Sequence, residues 1–194
     1  MSSGNAPSKA NKTIVDRPMP RGKAEVSLSS FCFLFSEIVQ YCQNRVNTTQ
    51  ELEKMLAEIG HNVGVRMLEL SSLREKAGFK REIKIVGILS YIKDTIWKVM
   101  FGKVADSLER VTDKEDEYMI HEKDPLVNTY ISVPKEYGHL NCAAFVAGIV
   151  QGILDSADFP ARVTAHTVPV GADTRTTILV KFTPQVMERE KRIA

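Results

Sequence analysis

Apolar residues recur at helical spacing through the first half of the chain and alternate through much of the second. Phe31, Leu34, Phe35, Ile38, Val39, Tyr41 and Cys42 form a broad stripe over residues 31–45. Such a stripe marks an amphipathic helix, and Ser29 or Ser30 can cap it. The polar run Asn47–Glu51 interrupts it, and Thr48 with Glu51 fits a capping box for a second helix. There Leu52, Met55, Leu56 and Ile59 fall at i, i+3, i+4 and i+7, and Val63, Met67 and Leu70 extend the stripe. Beside it runs a line of small residues, Ala57, Gly60 and Gly64. Glycine inside a helix costs about 1 kcal/mol against alanine, so this line predicts close approach of a neighbouring surface, within the chain or on a partner. Ala77-Gly78 ends the helix. Ile85, Ile88, Leu89, Ile92, Ile96 and Val99 make a third stripe, stopped at Gly102, with Trp97 in or beside the same core.

The pattern then shortens. Val104–Val111 and Glu117–Glu122 read as strands joined across Thr112–Glu115. After a connection at 127–138, Leu140–Leu154 is apolar almost all round, which predicts a helix enclosed between layers. It is too short for the roughly 20 residues that a membrane span requires. Gly148 and Gly152 share one of its faces, and Asp158-Phe159-Pro160 stops it. Val163, Ala165 and Thr167 alternate with Arg162, Thr164 and His166, predicting a half-buried strand. The last strand is Thr176–Thr183, with Ile178, Val180 and Phe182 on one face, and Gly171-Ala172-Asp173 supplies its preceding turn. The expected fold is α+β and α/β-plait-like. N-terminal helices accompany a four-stranded antiparallel sheet with a buried central helix, in the order ααα-ββ-α-ββ. The expected organisation is a flexible tail at 1–27, one domain at 28–184 and a charged tail at 185–194.

Composition narrows the function more than it defines it. Hydrophobic residues at 43% and charged residues at 26% suit an ordinary globular domain. A net charge of +2 gives no reason to expect nucleic acid as a partner. Neither a signal peptide nor a lipidation motif is expected from the termini. Cys32, Cys42 and Cys142 lack metal-ligand spacing and read as buried reduced thiols. His61, His121, His139 and His166 are scattered, with no pair on one helix at ligand spacing. There is no nucleophile elbow, and Gly148–Gly152 is not a phosphate loop. No catalytic residue, cofactor or metal is expected.

Three motifs carry a resemblance. Gly60–Glu69 (Gly-His-Asn-Val-Gly-Val-Arg-Met-Leu-Glu), Asp124-Pro125-Leu126-Val127 and Gly148–Leu154 occur in one order across residues 28–184. In that order they resemble the Bet/Trs subunits of the transport protein particle (TRAPP) complex. The resemblance implies a non-catalytic subunit of a tether in vesicle traffic between the endoplasmic reticulum and the cis-Golgi. It implies other subunits as partners, notably a Bet-type paralogue and a sedlin-like subunit. A Rab GTPase would be met through the assembled complex, where nucleotide exchange would reside. Family members pair through their first two helices, so Leu34, Ile38, Tyr41, Leu52, Met55, Leu56, Ile59, Gly60 and Gly64 become candidates for a partner interface. The Bet-type paralogue carries an acylated cysteine after the glycine-containing helix; here Lys76–Arg81 holds none, so lipidation is not carried over. The alternative is a small apolar ligand-binding module of the same fold, with a pocket beside Gly148 and Gly152.

Overall fold

The computed structural model describes residues 26–74, 81–134, 138, 140–171 and 173–193. The expected N-terminal tail up to residue 25, the helix end at Ala77-Gly78, most of the Lys76–Arg81 connection and His139 lie outside them. Helix α1 (Leu28–Gln43) begins where the Ser27 side chain accepts the Ser30 N–H. Helix α2 (Thr49–Arg74) begins at the expected Thr48 and Glu51, with the return bond shifted one residue back from that of a regular capping box. Glu51 N–H donates to Thr48 Oγ1 at 3.2 Å, and Asn47 N–H donates to the Glu51 carboxylate at 3.1 Å. Helix α3 (Ile85–Tyr91) continues through a π-helical turn (Ile92–Ile96) into α4 (Trp97–Phe101).

That π turn changes the expected stripe. Ile85, Ile88, Leu89, Ile92 and Ile96 are buried as predicted, but Val99 faces solvent. An i→i+5 turn inserts an extra residue and rotates everything beyond it. Trp97, whose backbone N–H donates to the Ile92 carbonyl, is therefore buried in its place.

Four strands form one antiparallel sheet in the order β1-β2-β4-β3: β1 (Ser107–Arg110), β2 (Glu117–Glu122), β3 (Ala161–Val170) and β4 (Asp173–Phe182). Between β2 and β3 lie the short helix α5 (Leu126–Thr129) and the crossover helix α6 (Ala144–Ser156). The first strand is shorter than its sequence suggests because Ala105 N–H bonds the Lys93 carbonyl and holds the chain on the helical layer. Leu140–Ala143 is likewise a turn rather than helix: Asn141 Oδ1 accepts the Ala143 N–H at 3.0 Å and so starts α6 later. Asp158, at φ 66°, ends α6. Phe159 N–H returns to the Leu154 carbonyl at 2.8 Å.

The segment expected as a charged tail is a helix, α7 (Pro184–Ile193), entered through Pro184. Val186 is buried, Arg189 lies over the Phe159 ring, and the Glu190 carboxylate accepts the Ile85 N–H at 3.0 Å. That carboxylate takes one of the unpaired N–H groups at the start of α3.

The core lies between the sheet and the helices. Tyr118, Ile120, Ile178, Val180 and Phe182 supply the sheet face, and α6 rests on it with ten buried positions from Ala144 to Leu154. Its other side meets α2 through glycine. A Cβ on Gly60 would collide with the Phe145 carbonyl, and one on Gly64 with that of Ile149. The relation is reciprocal, since Gly148 abuts the Ala57 carbonyl and Gly152 that of His61. Two helices whose backbones touch in this way gain dense packing along their whole length. The His61 imidazole and the Asp155 carboxylate close the far end at 3.0 Å.

Candidate functional site

Helix α1 has more apolar surface than the other described residues cover. Only Phe35 and Cys42 are fully buried, while Phe33 is 72% exposed, Leu34 60% and Tyr41 51%. Leu34, half-buried Ile38 and Tyr41 follow at i, i+4 and i+7, so they share one outward stripe. The Arg45 guanidinium stacks 3.5 Å from the Tyr41 ring centroid and closes the stripe at its C-terminal end. Phe35 meanwhile points inward, with its ring 5.3 Å from that of Phe145. An apolar helix with one face inside and another in water has the form of an interaction surface.

The nine expected interface residues divide. Leu34 and Tyr41 are exposed; Ile38, Met55 and Ile59 are half-buried. Leu52, Leu56, Gly60 and Gly64 are interior, so any part they have in an interface is as support beneath it rather than as contact residues. The reason is steric: the two glycines are filled by the α6 backbone, leaving no room for a partner. The same contact corrects the expected ligand pocket, because the space beside Gly148 and Gly152 holds the α2 backbone. Phe33 lies outside the expected set. Its signal was the density of the cluster Phe31, Phe33, Leu34, Phe35, which exceeds what one buried face can use.

Chemistry is sparse elsewhere. Among the described residues no group of three or more His, Cys, Asp or Glu could hold a metal ion. Burial pushes the Cys142 thiol up to about 11, the opposite of what a nucleophile requires. Several buried polar groups have structural partners. Trp97 Nε1 donates to Glu122 Oε2 at 2.6 Å, and Lys103 pairs with the other carboxylate oxygen. Lys114 and Lys181 both reach Glu117, at 2.8 and 3.0 Å. These hydrogen bonds hold its carboxyl below the usual range. No helix among the described residues is long and apolar enough to cross a membrane.

An α+β domain with an exposed apolar helix face suits a protein that meets other proteins, and comparison gives its family. The transport protein particle (TRAPP) component model matches residues 31–183, so the chain belongs to that family. Its relatives include a trafficking protein particle complex subunit 5 from Dictyostelium discoideum, 56% identical over 94% of this chain and 98% of that one. The human subunit 5 is 45% identical over 95% of both chains, and subunit 31 of Saccharomyces cerevisiae is 29% identical over 87% and 80%. The fold is shared with a crystal structure of a subunit 3 from Naegleria fowleri, described as covalently bound to palmitic acid. There the TM-score is 0.69 at 16% identity, covering 80% of this chain and 95% of that one.

Proposed function

We propose that the chain is a structural subunit of a TRAPP tether, in the position its subunit 5 relatives hold, and that it carries no catalytic activity of its own. The observation that supports this most directly is the outward stripe of α1. A family member whose first helix leaves Phe33, Leu34 and Tyr41 in water has a ready surface for a paralogous subunit. Ile38 shares that stripe, and Met55 and Ile59 of α2 are likewise half-buried. In this reading the partner is a Bet-type paralogue, and a sedlin-like subunit joins the same assembly. Nucleotide exchange on a Rab GTPase is a property of the complex, which works at the endoplasmic reticulum and cis-Golgi.

The test is co-purification with the paralogue. Exposed anchors of this size carry a large share of binding energy when truncated. The double substitution Phe33→Asp and Leu34→Asp is expected to weaken pairing at least about a hundredfold. The melting temperature of the isolated chain should be unchanged, since both side chains already stand in water. Wild-type recovery of the pair would refute the reading. Nucleotide-release assays should show activity with the assembly and none with this chain alone.

A further inference from the structure

The outer edge of the sheet opens into a groove separate from the α1 stripe. Strand β3 has β4 as its one neighbour among the described residues, and its other side is an edge. The direction of each backbone group follows from two hydrogen bonds. The Pro160 carbonyl accepts the Thr183 N–H on the β4 side, whereas the Val163 N–H donates to Gln151 Oε1 at 3.4 Å on the open side. Residues of even number therefore bond inward, and Val163, Ala165 and Thr167 turn their backbone outward. Pro169, with no N–H, ends the usable edge.

This edge forms one wall of a groove of about 870 Å³. Helix α2 forms the opposite wall through Gln50, Lys54 and Ala57, and α6 supplies Ala144, Ala147 and Gln151. Four alanines, Ala57, Ala144, Ala147 and Ala165, leave room for inserted side chains. A strand edge facing a helix across an apolar floor is the geometry in which an extended peptide adds as a further strand. With the Val163 N–H taken by Gln151, the free outward groups run from the Val163 carbonyl to Thr167, a length that fits about four residues.

Charge selects the occupant. Lys54 and Arg162 stand at the rim beside His166. Lys54 has only a long 4.0 Å contact to exposed Glu58, and no ion pair of Arg162 occurs among the described residues. Among the described residues of the lining the one carboxylate is Glu53, which already accepts the Asn141 N–H at 2.8 Å. We infer that this groove binds an extended acidic segment of a partner protein by strand addition to β3, with apolar side chains on the alanine floor and carboxylates against Lys54 and Arg162.

The probe is a synthetic peptide, Glu-Thr-Val-Glu-Val-Thr-Asp, titrated into the isotope-labelled full-length chain. Saturable amide shifts centred on Ala165 and Thr167 are expected at peptide concentrations up to about 1 mM. A counterpart with lysine for each acid should bind at least about tenfold more weakly, as should the acidic peptide against Lys54→Glu/Arg162→Glu. Ala165→Pro removes an outward donor and should abolish the shifts while the melting temperature stays close to wild type. Should that variant unfold, the wild-type chain with a peptide N-methylated at alternate residues gives the same reading. Absence of saturation, equal binding of the lysine peptide, or binding indifferent to N-methylation would overturn the inference. So would Ala165 and Thr167 amides that are already protected from exchange in the free chain.

Discussion

Gly64 shows how one missing side chain decides an interaction. In a free helix Gly→Ala stabilises by about 1 kcal/mol. Here the new methyl would meet the Ile149 backbone, which cannot swing aside as a side chain could. Overpacking costs about 1–3 kcal/mol, so Gly64→Ala should be destabilising in urea titration, against its helix propensity. The same holds for Gly148→Ala. His121 gives a residue-level pH dependence. Its ring is buried, with Nδ1 bonded to Thr177 Oγ1 at 2.9 Å. Burial and then the Arg175 charge hold its pKa below the ordinary 6.5, with Glu109 opposing from 3.7 Å. As pH falls through 6.5 toward the native value, the unfolded chain takes up a proton that the folded one resists, so stability drops. His121→Gln should flatten the urea midpoint across that window. A separate loss belongs to Glu117, whose depressed pKa makes its contribution disappear as pH falls below 4.5. Of the thiols, half-buried Cys32 should react with Ellman's reagent in native protein, whereas Cys42 and Cys142 should require denaturant.

At the scale of elements, α7 is the piece whose role is easiest to isolate. Glu190→Ala leaves the Ile85 N–H without its carboxylate. The expected cost is about 1–2 kcal/mol, read as a lower melting temperature. A larger loss is expected for removal of 184–194, because Val186 leaves the core as well. This helix was not legible in the sequence: a run so rich in charge resembles solvated tail until the position of its one buried valine is known. What was legible rests on strong periodicity. Strand β2 falls at Glu117–Glu122 in sequence pattern and structure alike, and the alternation of Ile178, Val180 and Phe182 gives the buried face of β4. The π turn was not legible, because one inserted residue leaves the stripe up to Ile96 unchanged and shifts only the positions beyond it. The candidate interface was half legible. Spacing marked α1 and α2 as apolar, but spacing alone gives no sign of which face meets the same chain. Leu34 and Leu52 look alike in sequence, yet one stands in water and the other in the core.

For the whole molecule, the uncovered stripe of α1 predicts poor behaviour in isolation. The chain alone should self-associate with rising concentration, and the paralogue should suppress this in stoichiometric ratio, as light scattering would record. The α2–α6 seam has another bearing on assembly. It joins positions from opposite halves of the chain, Ala57 with Gly148 and His61 with Gly152, so it cannot close until α6 has been synthesised. Until then the inner side of α2 lacks the surface it packs on. A chain truncated before α6 is therefore expected to fail in co-purification with the paralogue even though α1 and α2 are present in full.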